Sequence, residues 1–205
     1  VANQEIERFL AINRPAGIET AAAGYNFFFD GVAEQPVNFV VNIGILDSDC
    51  QTILSRESFT LRGSGYWQGF VVVPQNASGP GCAIAWFGEE GSAERREAVY
   101  EIDILAAEDN AASGLLIANP PPNETVRPGE RILFYGTTYS PEGDGVQLTV
   151  RQSDGAVIAT ESISSNRFGY WEEEVLLPVE ISGSIEVTVD NGSGFDVIVL
   201  EVETD

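Results

Sequence analysis

The sequence contains no lysine and no histidine, and these two absences exclude most catalytic chemistry. Without histidine there is no Ser-His-Asp or Cys-His catalytic group and no histidine-ligated zinc. Without lysine there is no Schiff-base nucleophile and no phosphate-binding P-loop. A pair of carboxylates, as in glycoside hydrolases, is the catalytic arrangement that remains. Because the acidic residues fall mostly on outward strand positions and in turns, where they stay ionised, we expect a protein without catalytic activity.

Basic residues are scarce as well: the ten that are present are all arginine, against 32 acidic residues. The formal net charge of −22 repels phosphate groups, so we expect no binding to nucleic acid or to anionic membranes. No apolar run approaches the roughly 18 residues that a membrane-spanning helix needs, and we therefore predict no direct membrane span. An acidic surface of this kind suits calcium binding, high salt or plain solubility.

One aromatic phrase occurs twice. GSGYWQGFVVVP stands at residues 63–74 and RFGYWEEEVLLP at residues 167–178, with Gly-Tyr-Trp, a later valine and a proline at the same relative positions. Either the two segments form paired ligand-binding sites, or the chain consists of two copies of one domain.

Further landmarks recur in the same order and favour duplication. Residues 29–32 match residues 134–137, and residues 41–46 match residues 146–151, both at an offset of 105. The Gly-Tyr-Trp phrase follows at an offset of 104, so a single residue has been inserted or lost between the landmarks. An ordered series of matches with nearly constant spacing indicates two copies of one unit.

Each copy has the pattern of a β-sandwich. Apolar and polar residues alternate in short runs, turn residues recur every 8–12 positions, and there is no convincing amphipathic helix. We predict an all-β chain of two tandem antiparallel β-sandwiches, each with about seven short strands. The first occupies residues 1–107, the second occupies residues 114–205, and residues 108–113 form a short linker.

The same alternation places the repeated tryptophans on the apolar side of their strands. Trp67 shares a face with Val71, and Trp171 shares a face with Val175, which predicts that both indoles fill the cores. Tyr66 is expected to point the other way. A role as paired binding aromatics is the alternative interpretation.

The opposite face of this strand differs between the copies. In the second copy it is expected to carry solvated residues, namely Tyr170, Glu172, Glu174 and Leu176. In the first copy it carries Tyr66, Gln68, Phe70 and Val72, a set apolar enough to need a cover. An exposed apolar patch marks a docking surface. This candidate interaction face could meet the second copy, another subunit or a partner, or a loop of its own domain could cover it.

Only two cysteines are present, Cys50 and Cys82, and both lie in the first copy. They align with Gly155 and Ile185, so the second copy lacks both, as expected if they bond to each other. Such a disulfide is worth about 3–4 kcal/mol on loop entropy and implies an oxidising, extracellular or cell-surface setting. Methionine is absent and the chain begins with valine, so we expect a processed chain whose export signal has been removed.

Three acidic turns are candidate calcium sites. They contain Asp47 with Asp49, Glu142 with Asp144, and Asp190 with Asp196. Calcium takes six to eight oxygen ligands, but Asp, Asn, Gly and Ser also build ordinary hairpin turns. Calcium is the one cofactor that the sequence suggests, and whether it binds is left open.

The order of strand and turn markers in the second copy resembles a known family. The markers are Ile117-Ala118-Asn119-Pro120, Phe134-Tyr135-Gly136, Val146-Gln147-Leu148, Asp154-Gly155-Ala156-Val157-Ile158, Gly169-Tyr170-Trp171 and residues 183–189. This order resembles the immunoglobulin-like domain family named for bacterial spore-germination proteins, which also occurs in secreted bacterial proteins. The first copy resembles a diverged member, with Cys50 in place of the turn glycine. The resemblance implies tandem immunoglobulin-like domains, no catalytic residues, and an accessory, structural or interaction role at the cell envelope.

These observations lead to one main functional hypothesis and two alternatives. The main hypothesis is a non-catalytic, exported bacterial surface protein that acts as a structural or protein-interaction module through a protein partner or self-assembly. The first alternative is a carbohydrate-binding accessory module, which needs exposed aromatic platforms. The available tyrosines are Tyr25, Tyr66, Tyr139 and Tyr170. The second alternative is a subunit of a surface filament or sheath, in which residues 1–11 reach into a neighbour.

Overall fold

A computed structural model describes residues 10–15, 19–33, 39–61, 65–107, 114–138 and 145–203. Within these residues the chain forms sixteen β-strands, as the alternating sequence patterns predict. No helix in these ranges is long and apolar enough to cross a membrane. The predicted linker, residues 108–113, lies outside the described residues, so the predicted domain bounds stay a prediction.

The first eight strands form the first sandwich. They are β1 (Leu10–Arg14), β2 (Glu19–Ala22), β3 (Asn26–Ala33), β4 (Phe39–Leu46), β5 (Ile53–Leu61), β6 (Tyr66–Val72), β7 (Gly79–Phe87) and β8 (Arg96–Leu105). A three-stranded sheet has the order β1-β3-β6, and a five-stranded sheet has the order β2-β8-β7-β4-β5. Their facing side chains form one apolar core.

The last eight strands form the second sandwich. They are β9 (Leu115–Asn119), β10 (Thr125–Val126), β11 (Arg131–Thr138), β12 (Gly145–Gln152), β13 (Val157–Ser164), β14 (Tyr170–Leu176), β15 (Ser184–Asp190) and β16 (Phe195–Val202). The sheet orders, β9-β11-β14 and β10-β16-β15-β12-β13, repeat those of the first sandwich with every strand number raised by eight. The duplication read from the sequence is therefore also a duplication of topology.

Each sandwich is immunoglobulin-like, with its opening segment divided between both sheets. β1 pairs with β3 in the small sheet, the chain turns at Pro15, and β2 then pairs with β8 in the large sheet. The second sandwich makes the same change of sheet at Pro120, from β9 to β10. The pairs β2–β8 and β10–β16 are parallel, whereas the remaining pairs are antiparallel. The sequence predicted about seven strands in each copy, and the structure has eight because the opening segment is split.

Both repeated tryptophans are buried in the sandwich cores, as the alternation predicts. Trp67 lies opposite Gly31 on the neighbouring strand, and Trp171 lies opposite Gly136. A Cβ atom on Gly136 would lie 2.7 Å from Cζ2 of Trp171 and 1.8 Å from the carbonyl oxygen of Leu116. The glycine thus leaves room for the indole on one side and for the neighbouring strand on the other, and the pair Gly31–Trp67 repeats this arrangement.

The two cysteines form a disulfide with a Cα–Cα distance of 5.5 Å. It joins the turn after β4 to β7 within the first sandwich. Cys50 has a φ of 55°, and its counterpart Gly155 has a φ of 88°, so both occupy the left-handed region. The cysteine therefore stands in a turn whose backbone conformation favours glycine, and it keeps that conformation while bonded to Cys82.

Candidate functional site

The two sandwiches pack against each other through the outer faces of their three-stranded sheets. Phe28 alternates with the core residues Phe27 and Phe29 and so points out of the first sandwich. Its ring stacks on Tyr170 of the second sandwich, with centroids 4.1 Å apart and an angle of 21°. A cluster of side chains from the second sandwich surrounds this pair. Its other members are Ala118, Leu133, Tyr135 and Phe168. We call this contact the interdomain joint.

Polar contacts border the joint. The side-chain amide of Asn26 donates to the carbonyl oxygen of Phe168 over 3.3 Å. The backbone amide of Gly114 donates to the hydroxyl of Tyr25 over 2.9 Å. The hydroxyl of Tyr135 donates to the carboxylate of Glu19, which is fully buried at this contact. These bonds give the joint a fixed register in addition to its apolar area.

Arg14 connects the sandwiches electrostatically. Its Nη1 atom lies 3.1 Å from Oδ2 of Asp30 in the first sandwich, and its Nη2 atom contacts Oε2 of Glu172 in the second. The guanidinium carbon lies 5.6 Å from the ring centroid of Tyr135 and 5.3 Å from that of Tyr170. A guanidinium over two rings gains cation–π attraction in addition to its ion pairs. One side chain of the first sandwich thus contacts three side chains of the second.

Asp30 is a buried carboxylate beside this arginine. It is 4% exposed, and its Oδ2 atom also accepts a hydrogen bond from the hydroxyl of Tyr66 over 3.2 Å. Its Oδ1 atom has no hydrogen-bond partner among the described residues. Burial raises the pKa of Asp30, although Arg14 and the Tyr66 hydrogen bond lower it. The same kind of burial raises the pKa of Tyr170, whose protonated hydroxyl donates to Glu172 over 2.7 Å.

An open cleft of about 280 Å³ lies at the edge of the joint. Residues from both sandwiches line it. They are Arg14, Phe28, Asp30, Tyr66, Gln68, Ser164, Asn166, Tyr170, Trp171 and Glu172. The cleft therefore combines an aromatic floor with charged and amide side chains, and it exists only where the two sandwiches meet.

The candidate interaction face is divided between the joint and solvent. Phe70 is half-buried, and its ring lies 5.5 Å from that of Phe168 in the second sandwich. Tyr66 and Val72 are 47% and 50% exposed, and Gln68 is exposed as well. Of the covers considered from the sequence, the second sandwich is thus the one that reaches Phe70. Whether the remaining part of the face binds a partner stays a prediction.

The prediction of exposed carbohydrate-binding platforms is wrong for two of the four tyrosines. Tyr25 and Tyr170 are buried, because both lie under the opposite sandwich. The expectation that Tyr170 belongs to a solvated charged face is wrong for the same reason, whereas Glu172 and Leu176 beside it are exposed. Tyr66 remains available at the cleft, and Tyr139 lies outside the described residues.

The candidate calcium turns use carboxylate oxygens to hold their own backbone. Oδ1 of Asp47 accepts from the amides of Gln51 and Thr52 over 3.0 and 3.1 Å, and hydrogen bonding at Thr52 lowers the pKa of Asp47. Asp49 lies exposed in the same turn. In the turn that begins at Asp190, Oδ1 of Asp190 accepts from the amide of Gly192 over 2.5 Å.

Asp196 bridges the two sheets of the second sandwich. Its Oδ2 atom accepts from the amide of Ile117 in β9 over 2.8 Å, and its Oδ1 atom accepts from the amide of Val197 over 2.9 Å. Glu142 and Asp144, the third candidate pair, lie outside the described residues. In the part of the chain that the structure describes, no group of three or more acidic or cysteine side chains could hold a metal ion. Calcium binding remains an untested prediction.

Most residues of the interdomain joint were not predicted from the sequence. Arg14 was not singled out because it lies in the short strand β1. Asp30 and Phe168 lie within the matched segments, but nothing in the residue alternation there predicts a contact between the two sandwiches. Phe28 does carry a signal, because the run Phe27-Phe28-Phe29 makes both faces of β3 apolar and so predicts a cover on its outer face.

No protein-family model matches the chain, and no curated protein matches it. Several solved structures are similar to this chain at low identity. A chimeric titin Z1Z2 functionalized with a KLER exogenous peptide from decorin is 16% identical, with 97% of each chain covered and a TM-score of 0.28. The titin Ig tandem domains A164-A165 are 14% identical over 98% of this chain and 99% of that chain, with a TM-score of 0.31.

A tetra-tandem repeat from the extending region of a large adhesion protein is 16% identical, covering 89% of this chain and 48% of that chain, with a TM-score of 0.30. At these identities and scores, no function can be transferred from any of the three structures.

Proposed function

We propose that this chain is a non-catalytic, exported structural module of a bacterial cell surface, composed of two docked immunoglobulin-like sandwiches that contact a protein partner or further copies. The observation that carries this proposal is the interdomain joint. Stacked rings, the hydrogen bond from Tyr135 to the buried carboxylate of Glu19, and the shared Arg14 hold the sandwiches together, so the pair acts as one building block rather than as two independently moving domains.

Three further features support parts of this proposal. The Cys50–Cys82 disulfide suits an oxidising compartment. The order of strand markers supports membership of the spore-germination-associated immunoglobulin-like family, which we include in the proposal. The division into domains at residues 1–107 and 114–205, with a linker at residues 108–113, is also part of it.

The exposed part of the candidate interaction face supplies a contact surface. Tyr66, Gln68 and Val72 lie on the outer side of β6, next to the joint but not beneath it. This partially apolar strip lies beside the interdomain joint and so has a fixed position relative to both sandwiches. A fixed position favours specific binding of a partner over non-specific association.

A pair of substitutions on β6 tests the two roles of this face separately. Phe70→Glu would bring a carboxylate against Phe168, and we expect it to loosen the joint because a buried unpaired charge is costly. Small-angle scattering should then show a larger radius of gyration, with the second sandwich still folded by calorimetry. Val72→Glu, two positions along the same face, should leave both measurements unchanged but reduce self-association or partner binding in native mass spectrometry.

Unchanged scattering and melting for Phe70→Glu would contradict the proposal that the two sandwiches act as one docked module.

The alternative function, a carbohydrate-binding module, is favoured by one specific observation: Tyr66 is half-exposed at the mouth of a polar cleft.

A further inference from the structure

The cleft beside the interdomain joint has polar walls from both sandwiches. Asp30, Tyr66 and Gln68 come from the first sandwich, and Asn166 and Glu172 come from the second. Sites between domains are common places for small-molecule binding, because two surfaces supply converging groups.

Several polar groups in this cleft have unused hydrogen-bonding capacity. The amide of Gln68 and the hydroxyl of Ser164 form no side-chain hydrogen bond with any described residue. Asn166 uses only its Oδ1 atom, which accepts from the amides of Phe168 and Tyr170 over 2.9 and 3.1 Å. No described residue bonds its Nδ2 atom, which can donate to a ligand. Glu172 uses Oε2 for Arg14 and Tyr170, and its Oε1 atom accepts no hydrogen bond from the residues that the structure describes. The walls therefore offer donors and acceptors together.

Charge restricts the ligands that could use these groups. Asp30 and Glu172 outnumber Arg14 in the cleft, and the chain as a whole carries −22, so anionic ligands are repelled. An apolar ligand would leave the amides and carboxylate unpaired, at a cost in affinity. A neutral ligand with several hydroxyl groups matches the mixture, because each hydroxyl both donates and accepts.

Tyr66 supplies a preorganised ring at the mouth of the cleft. The side chain is 47% exposed, and its hydroxyl is held by Asp30 over 3.2 Å. A ring with a fixed orientation can pack on the apolar C–H face of a pyranose without losing much conformational freedom. Gln68, two residues along the same face of β6, can then reach the hydroxyl groups at the rim of the pyranose.

From these observations we infer that the cleft binds a neutral saccharide, with Tyr66 as the stacking ring and Gln68, Asn166 and Glu172 as hydrogen-bonding groups. The inference deepens the alternative function named above and is independent of the structural role. Because both sandwiches line the cleft, a bound saccharide also favours the docked arrangement over a separated one.

The test uses the full chain and an array of neutral oligosaccharides built from glucose, mannose, galactose and N-acetylglucosamine, followed by calorimetric titration of the best binder. Gln68→Ala and Tyr66→Ala should each weaken binding by about five- to tenfold, as expected for one lost hydrogen bond or ring contact. Tyr66→Phe keeps the ring and should retain most of the affinity. Gln147→Ala, at an exposed strand position of the second sandwich outside the cleft, is the matched control for Gln68→Ala.

Gln68→Ala is the decisive variant, since this side chain forms no hydrogen bond within the described part of the chain whose loss could disturb the fold. Binding to no neutral saccharide, or binding that Gln68→Ala and Tyr66→Ala leave intact, overturns the inference. Either result leaves the structural proposal standing, because that proposal depends on the scattering of Phe70→Glu.

Discussion

At Asp30, burial and ion pairing act in opposite directions on one carboxyl group. Arg14 and Tyr66 stabilise the ionised form, whereas removal from water destabilises it. The pKa of Asp30 is raised because the burial effect is the larger one. The joint therefore contains a carboxylate that costs free energy when it is charged, in spite of its arginine partner, as is common for buried ion pairs.

This balance predicts a pH dependence with a definite sign. A folded-state pKa above the unfolded value means that the folded protein binds the proton more tightly, so the contribution of Asp30 to stability is present in acid and is lost as the pH rises through the raised pKa. We expect the free energy of unfolding of the wild type, measured relative to Asp30→Asn, to fall between pH 4 and pH 7. Denaturant titrations of both proteins at the two pH values provide the measurement.

The opposite trend, a relative gain for the wild type on raising the pH, would show that the Arg14 ion pair outweighs burial. Asp47 is a suitable internal contrast. Its pKa is lowered by hydrogen bonds in an exposed turn, so stability from Asp47 should decline as the pH falls, not as it rises.

At the scale of strands, each tryptophan depends on a glycine in the neighbouring strand. Gly31 and Gly136 occupy the same place in the two sandwiches, opposite Trp67 and Trp171. The sequence shows this relation as matched landmarks, but only the sheet register explains why glycine is required: two strands and an indole approach the same Cα atom.

Substitution of Gly136 by alanine should therefore destabilise the second sandwich strongly. A Cβ atom would meet the backbone oxygen of Leu116 at 1.8 Å, which cannot be relieved by rotating a side chain. We expect a loss of about 3 kcal/mol or more in the free energy of unfolding, beyond the usual cost of overpacking. Gly145→Ala is the control, because no atom lies within 4 Å of its added Cβ. Equal effects of the two substitutions in denaturant titrations would contradict this account.

The disulfide connects two elements of the five-stranded sheet. Cys50 and Cys82 are 32 residues apart in sequence, so their bond should contribute about 3–4 kcal/mol by restricting the unfolded chain. We predict that Cys50→Gly combined with Cys82→Ala lowers the free energy of unfolding by this amount. Glycine preserves the left-handed backbone, whereas Cys50→Ala in the same background should lose a further fraction of a kcal/mol. Thermal unfolding with and without reductant gives an independent check.

At the scale of the whole molecule, like charge opposes the packing of the two sandwiches. The chain carries −22, and its ten arginines are too few to neutralise the acidic surface. Arg14 lies between the sandwiches, where it contacts a carboxylate on each side. The joint therefore has to stabilise the docked state against general electrostatic repulsion.

Salt should consequently stabilise the protein. The distance over which charges interact falls from about 30 Å at 0.01 M to about 3 Å at 1 M salt, so repulsion between acidic residues weakens. We expect the melting temperature to rise by several degrees over this range in scanning calorimetry. A variant with Glu101→Gln, Glu186→Gln and Glu201→Gln, all at exposed strand positions, should melt higher at low salt and respond less. A falling melting temperature would indicate that ion pairs dominate instead.

Much of the fold could be predicted because its signals are local. Alternation of apolar and polar residues over residues 146–151 predicts which face of this strand is buried. The structure buries all three residues of that face, Val146, Leu148 and Val150. The repeated phrases gave the number of sandwiches and the buried position of Trp67 and Trp171. The division of the opening segment into β1 and β2 was not predictable in this way. The chain changes sheet at Pro15, but the sequence of each short segment has only the pattern of an ordinary strand.

The sequence by itself determined the all-β class, the duplication and the side of each strand that enters a core, because side-chain direction along a strand has a period of two residues. Only the tertiary structure decided what covers each outward face. Phe28 and Tyr170 are far apart in sequence, and each becomes buried only when the sandwiches come together. Coverage of a surface depends on the geometry between two folded bodies, and no pattern within either strand encodes that geometry.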